Sequence, residues 1–448
     1  GQQRVGETLF AELATERPMH RLLQGEVGSG KTLVALRAML AVVDAGGQAA
    51  LLAPTEVLAG QHYASITALL GELGAAGMLE AHPQATQVAF LTGSLTAAGR
   101  RSARAAVASG EAGLVIGTHA LLSEGVEFAD LGLVVVDEQH RFGVEQRAAL
   151  AAKSERQPHT LVMTATPIPR SVAMTVFGDL ETIELRDRPA GRAEVKTVFV
   201  DTARNPHWVD RAWERIREEV TEGRQAFVVC PAISGNKTEG ELEAGAGLSA
   251  VMEVAPMLAE GPLKGLRVGM VHGRQAAAER DQAMQAFTAG ELDVLVATTV
   301  IEVGVDIPNA SVMVILDADR FGIAQLHQLR GRIGRGTHPG LCLLLAAPTP
   351  EALGAVERLN ALVASTDGFD LAERDLELRR EGDVLGAAQS GASSLKLLRV
   401  LGDREVIEQA KELAAEILAD SRAAQDPLLA DLIDQAEQAA AGEWLEKG

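Results

Sequence analysis

Short apolar runs, each followed by a stretch with helical spacing, are what most restrict the folds open to this chain. From residue 1 to about 185 they fall at 49–53, 88–91, 114–117, 131–136 and 160–163. A second series falls at 197–200, 226–230, 266–271, 294–297, 312–316 and 341–345. Alternation of this kind specifies parallel strands covered by helices, because strands apolar at every position are buried on both faces. The polar, Pro- and Gly-containing segment 186–194 separates the two series. We therefore expect two α/β lobes at 1–187 and 195–348 and a mainly helical region at 349–448. At about 150 residues per domain, 448 residues correspond to roughly three, and 47% hydrophobic residues can fill their cores. No internal sequence repeat relates the two series.

Between 234 and 247 the chain is rich in Gly, Ala and Glu and poor in bulky apolar residues, which reads as a mobile surface loop. Past 349 the strand pattern stops. Val406, Ala410, Leu413, Ala414 and Ile417 recur at helical spacing, Asp426-Pro427 breaks the pattern, and a further helix is expected from Leu428. The longest apolar run, 341–347, is far too short to span a bilayer, and the first residues lack the pattern of a signal peptide. The sequence reads as a soluble intracellular protein with no membrane partner. Cys230 and Cys342 are far apart, and both read as small core residues rather than a disulfide or metal site.

The first lobe carries Gly25-Glu26-Val27-Gly28-Ser29-Gly30-Lys31-Thr32, which fits G-x-x-x-x-G-K-T. Apolar Leu22-Leu23 precede it and a helix-forming run from Leu33 to Leu40 follows, the strand, loop and helix context of a phosphate cradle. Gly28 and Gly30 let backbone N–H groups converge with no Cβ in the way, at a helix start that favours anions. Lys31 would reach the β- and γ-phosphates and Thr32 would offer its hydroxyl to Mg²⁺.

Val134-Val135-Val136 leads into Asp137-Glu138-Gln139-His140. Two carboxylates at a strand end are by themselves a solvated loop. Paired with a P-loop about a hundred residues earlier, they supply what an ATPase needs: Asp137 to hold Mg²⁺ and Glu138 to orient water. Thr164-Ala165-Thr166-Pro167 follows the next strand, where the hydroxyls either couple the phosphate state to the rest of the lobe or cap a helix. The second lobe holds Gln328-Leu329-Arg330-Gly331-Arg332-Ile333-Gly334-Arg335. Arg332 and Arg335, three apart, lie on one side of a helix or loop. Arginines reaching across a cleft stabilise phosphoryl-transfer charge by about three to five powers of ten in rate.

These stretches resemble those of superfamily 2 helicases, and more closely the RecG family of branched-DNA translocases. The runs that carry the resemblance are LLQGEVGSGKT, APTEVLAGQH, IGTHALL, VVVDEQHRFGVEQR, MTATPIPRSVAM, ATTVIEVGVDIPNA and QLHQLRGRIGRG. The transcription-repair coupling factor shares many of them, but Gln139 and Ser29 favour RecG. The resemblance implies ATP and Mg²⁺ bound between RecA-like lobes, with Gln2 against the adenine, Gly25 to Thr32 around the phosphates, and Gly304 and Asp306 beside the nucleotide. It implies catalytic roles for Lys31, Glu138, Gln328, Arg332 and Arg335. Thr55 and Thr118 would contact the DNA backbone from the first lobe, and Thr298 and Thr299 from the second. Gln139, His140, Thr164 and Thr166 would link the ATP site to the lobe interface. Hydroxyls suit a tracking motor, since phosphate contacts position without reading sequence.

The segment from Gly368 to Arg380, continuing to Gln389-Ser390-Gly391, resembles the helical hairpin and loop that convert lobe closure into DNA movement in both families. Arg380 and Glu381 replace the usual Gly and Pro after Arg379, so the turn differs here. Arg379 and Gln389 would act in coupling. The resemblance further implies a monomer in the bacterial cytoplasm at the nucleoid, acting on branched and double-stranded DNA, with single-stranded DNA-binding protein as a partner. The wedge domain that RecG proteins carry ahead of the motor is not expected within these residues.

The net charge of −20 counts against nucleic acid binding over the whole surface, and 3% aromatic residues against extended base stacking. The clearest basic patch, Arg100, Arg101 and Arg104, either grips DNA phosphates or forms a solvated face.

Overall fold

The computed structural model describes residues 1–26, 28–74, 82, 84–123, 125–137, 150, 153, 156–165, 180–187, 193–231, 246–298, 307–349, 353–378, 404–419, 426, 429–433 and 435. Helix α1 (Gln2–Leu13) precedes β1 (His20–Gly25), which leads through the P-loop into α2 (Lys31–Asp44). Then come β2 (Gln48–Leu52), α3 (Glu56–Leu70), β3 (Val88–Leu91), α4 (Ala97–Ala108), β4 (Leu114–Gly117), β5 (Leu131–Asp137), β6 (His159–Thr164) and β7 (Glu181–Leu185). These seven strands form one sheet in the order β3-β4-β2-β5-β6-β1-β7.

The second lobe comprises β8 (Val195–Asp201), α5 (His207–Thr221), β9 (Gln225–Val229), α6 (Ala246–Glu260), β10 (Val268–Val271), α7 (Ala277–Thr288), β11 (Val294–Ala297) and β12 (Ala310–Ile315). It closes with α8 (Ile323–Arg330) and β13 (Gly340–Ala346), and its sheet runs β10-β11-β9-β12-β13-β8. Every described pairing is parallel, so the expected tandem RecA-like α/β lobes are present. Helices α9 (Leu353–Ala364) and α10 (Gly368–Leu378) follow, with α10 packed on α8. The C-terminal region is helical, its longest described element being α11 (Arg404–Ala419).

Burial explains why the strands read as unbroken apolar runs. In β12, Met313 and Ile315 join one core while Val312 and Val314 join the core on the opposite face. Each face of the sheet is covered, so both alternating sets must be apolar. In the first lobe Leu51, Leu133, Val135 and Leu161 pack beneath α1 and α2 through Val5, Leu9, Val34 and Met39. Both cysteines are fully buried, and burial pushes their thiols up to about 12, which makes them inert core residues.

Three expectations change. Strand β7 was not anticipated: it lies at the sheet edge, four of its five residues stay partly exposed, and its ETIEL sequence lacks a continuous apolar signal. Thr164 does not follow β6 but is its last residue, 2% exposed. The stretch read as a loop at 234–247 ends inside α6, whose first residues are Ala246 and Gly247; the rest of it lies outside the described residues.

Candidate active site

The expected site residues gather where parallel strands end. Gly25 closes β1, Asp137 closes β5 and Thr164 closes β6, while Thr55 and Thr118 stand just beyond β2 and β4. Thr164 pairs with Gln24 of β1, and Met163 pairs with Asp137, so β6 alone separates the P-loop strand from the Asp137 strand. At about 4.8 Å per strand the two carry their chemistry roughly 10 Å apart. Open α/β sheets bind ligands at this carboxyl edge.

The P-loop has the backbone its glycines were read to supply. Gly28 has φ 84° and Gly30 φ 92°, a region closed to most side chains. At Gly25 an added Cβ would stand 2.7 Å from Ser29 Oγ and 2.9 Å from Leu185 O. Lys31, the first residue of α2, folds its ammonium back into the loop and donates to Gly25 O at 2.7 Å and Glu26 O at 2.9 Å. Ser29 Oγ is buried with no hydrogen-bond partner among the described residues. Such an orphaned hydroxyl, the convergent loop and a lysine whose ammonium points back at the loop carbonyls fit an anionic phosphate chain. Thr32 is half-buried in the first turn of α2. Gln2 donates from Nε2 to Ser29 O at 2.8 Å, which sets α1 against this loop.

Asp137 is 8% exposed and does not stand alone: its Oδ2 is 2.7 Å from Nε2 of His62, a buried residue of α3. A hydrogen-bonded neighbour of this kind fixes the aim of a ligating carboxylate. His62 ends the quoted run APTEVLAGQH, but nothing in the sequence ties it to a residue 75 positions later. Mg²⁺ accepts one or two protein oxygens beside substrate phosphates and water, and Thr32 with Asp137 supplies such a set.

In the second lobe Arg330 ends α8 and is 4% exposed. Its Nη1 donates to Leu362 O at 2.8 Å and Ser365 O at 2.9 Å, and Nη2 lies 2.8 Å from His327 Nδ1. This clamps the helix end, and Arg332 and Arg335 then sit on the loop that follows rather than on the helix. Arg332 is 8% exposed, Arg335 donates from Nε to Gly331 O at 2.9 Å, and Gln328 is half-buried on α8. Two glycines of this loop have a local reason: Gly334 has φ 66°, and a Cβ on Gly336 would meet Pro308 O at 2.4 Å.

The candidate DNA contacts divide. Thr55 caps α3 by accepting from Leu58 N at 3.2 Å. Thr118 is 1% exposed with an unpartnered Oγ1 among the described residues, and Thr298 is 6% exposed. Of the basic patch, Arg100 bends back to donate to Gly93 O at 2.8 Å, Arg104 reaches Ser123 Oγ at 3.1 Å, and Arg101 is exposed. Glu138, Gln139, His140, Thr166, Thr299, Gly304, Asp306, Arg379 and Gln389 lie outside the described residues.

Residues 4–175 match the DEAD/DEAH box helicase family and residues 211–337 the helicase conserved C-terminal domain. Two parallel-sheet lobes, one carrying the glycine loop after β1 and the other the arginine loop after α8, are the two-lobed architecture of superfamily 2 helicases. Residues 365–439 match the C-terminal part of domain 3 of ATP-dependent DNA helicase RecG. The chain is 56% identical over 420 residues to the ATP-dependent DNA helicase RecG of Mycobacterium tuberculosis, covering 93% of this chain and 57% of the relative. It is 41% identical over 434 residues to that of Bacillus subtilis, covering 97% and 60%. A solved structure of RecG bound to a three-way DNA junction matches with a TM-score of 0.70 at 39% identity, over 91% of this chain and 50% of that one. The chain belongs to the RecG family, and it spans a little over half the length of these curated relatives.

Proposed function

We propose that these residues are the motor of an ATP-driven translocase on double-stranded DNA which, in the longer protein, acts on branched DNA such as stalled forks and Holliday junctions. The observation that carries the reading is the P-loop edge: Gly28 and Gly30 in left-handed conformations, Lys31 held by carbonyl oxygens, and Asp137 two strands away. On this reading Lys31 leaves the carbonyls of Gly25 and Glu26 for the β- and γ-phosphates of ATP, and Ser29 and Gly30 line the cradle. Thr32 and Asp137 would hold Mg²⁺, with Asp137 aimed by His62, and the ion would supply charge neutralisation at the phosphates. Glu138 orients the attacking water, and Arg332 and Arg335 meet the transferred phosphoryl group as the lobes close.

Repeated closure moves duplex past Thr55, Thr118, Thr298, Thr299 and Arg101, with Arg379 and Gln389 passing the motion on. Arg100 also ties α4 to the loop before it, and Arg104 ties α4 to Ser123 beyond β4. The domains run 1–187, 195–348 and 349–448. A monomeric state in the bacterial cytoplasm at the nucleoid, with single-stranded DNA-binding protein as a partner, completes the reading.

The test is steady-state ATP hydrolysis by this chain with no DNA, with linear duplex and with a synthetic fork. Stimulation by duplex is expected, since phosphate contacts read backbone and not sequence. Hydrolysis equal under all three conditions would overturn the assignment of the DNA grip to these residues.

A further inference from the structure

The P-loop and helix α10 meet at a contact that none of these roles uses. Glu26, second residue of the P-loop motif, accepts a hydrogen bond on Oε1 from the backbone N–H of Gly368 at 2.8 Å, across 342 residues of chain. Gly368 is the first residue of α10, where N–H groups lack intrahelical acceptors and a carboxylate is also favoured by the helix dipole. Asp367 Oδ1 takes the next N–H, of Phe369, at 2.8 Å. Two carboxylates from distant parts of the chain thus cap one helix start. Arg186, just past β7, closes the junction with its guanidinium 4.7 Å from the centre of the Phe369 ring.

We propose that Glu26 is a positioning residue that carries the state of the P-loop to the arginine loop of the second lobe. The inference rests on the phosphate-cradle reading. On the P-loop side, Lys31 bonds the backbone oxygen of Glu26 itself. A phosphate that draws Lys31 away removes that bond and the one to Gly25, and the freed backbone re-aims the Glu26 carboxylate. On the other side, Ser365, three residues before Gly368, gives its carbonyl to Arg330, and Arg332 follows two residues later. A displacement at the start of α10 therefore reaches the arginine loop through one buried guanidinium. The Glu26 to Gly368 bond also favours the self-bonded P-loop, so it opposes nucleotide entry until it is released.

The test measures binding of a fluorescent, non-hydrolysable ATP analogue with Mg²⁺ to the wild-type chain, Glu26→Ala, Gly368→Pro, the double variant and Glu26→Gln. Proline at the first helical position removes the N–H donor yet suits the helix start. Each single variant is expected to tighten binding about fivefold, the worth of one such hydrogen bond. The double variant is expected to match the singles, and Glu26→Gln, which keeps an acceptor oxygen, to stay within about twofold of wild type. A merely structural contact would weaken binding when removed, not tighten it. Unchanged or weakened affinity in the singles, or effects that add in the double, would overturn the proposal while leaving the cradle reading intact. Failure of the wild-type chain to bind the analogue would overturn both.

Discussion

Strand for strand, the order β3-β4-β2-β5-β6-β1 of the first sheet is matched by β10-β11-β9-β12-β13-β8 of the second, yet the counterparts β1 and β8 lead into different turns. The match extends to the amino ends of the strands. Gln48 at the start of β2 donates to Val107 O and Ala112 O at 3.0 and 2.8 Å and accepts from Ala129 N and Asp130 N at 2.7 and 3.1 Å. Gln225 at the start of β9 donates to Phe287 O and Leu292 O at 2.6 and 2.7 Å and accepts from Asn309 Nδ2 at 3.4 Å. Each glutamine ties the loop before the next strand outward to the entry of the strand on its other side.

At the carboxyl ends the two lobes part. Beyond β1 the loop turns through two glycines at positive φ, Gly28 and Gly30. At the end of β8, Asp201 Oδ1 closes the turn itself by accepting from Ala203 N and Arg204 N, both at 3.1 Å, and Pro206 is the N-cap of α5. A turn satisfied by its own side chain leaves no convergent donors for a ligand. The scaffold is shared, and the residues after each strand decide what the turn there can do.

The sharpest way to break this comparison is to remove the cation after each counterpart strand. Lys31→Ala is expected to lower ATP hydrolysis about a thousandfold, whereas Arg204→Ala, whose side chain is 86% exposed, leaves the rate unchanged. Comparable losses in steady-state assays would contradict the asymmetry. At the shared end the lobes should behave alike. Gln48→Ala and Gln225→Ala each strip buried backbone groups of their partners and are expected to destabilise by about 2 to 4 kcal/mol, Gln48→Ala the more. Urea unfolding midpoints check this, and a large loss in one variant alone would show that the resemblance of the two locks is superficial.

A smaller difference lies at the joint between adjacent strands. In the first sheet Thr160 N bonds Met19 O, and Met19 N donates to His159 Nδ1 at 2.9 Å. The second sheet makes the matching joint between backbone groups, Gly340 N to Glu194 O at 2.9 Å. Burial, with the charge of His20 second, lowers the pKa of His159. A folded-state value below the unfolded one gives stability that is full above about pH 6.5 and is lost as pH falls through the folded value. Melting temperatures between pH 7.5 and 5.5 are expected to fall more steeply for wild type than for His159→Gln. Parallel curves would remove His159 from this account.

Much of the scaffold was legible because strands covered on both faces leave continuous apolar runs, as at 131–136 and 312–316. The P-loop was legible because only glycine meets its backbone demands. The repeated strand order was not, since the two lobes share side-chain roles and not a common sequence: Gln48 and Gln225 are recognisable as counterparts only through the loops they hold. His62 beside Asp137 and Glu26 beside Gly368 were hidden for another reason. Both pairs are made by tertiary contact between segments whose own local patterns, a helix face and a loop, are complete without them. Strand β7 was missed because an edge strand with partly exposed residues carries little periodic signal.

The measurement that bears most directly on the division of labour between the lobes is nucleotide binding and ATP turnover in Arg332→Ala, determined side by side. The account predicts affinity within about threefold of wild type, because the cradle belongs to the first lobe, and turnover lowered about a thousandfold. Normal turnover in that variant would contradict it.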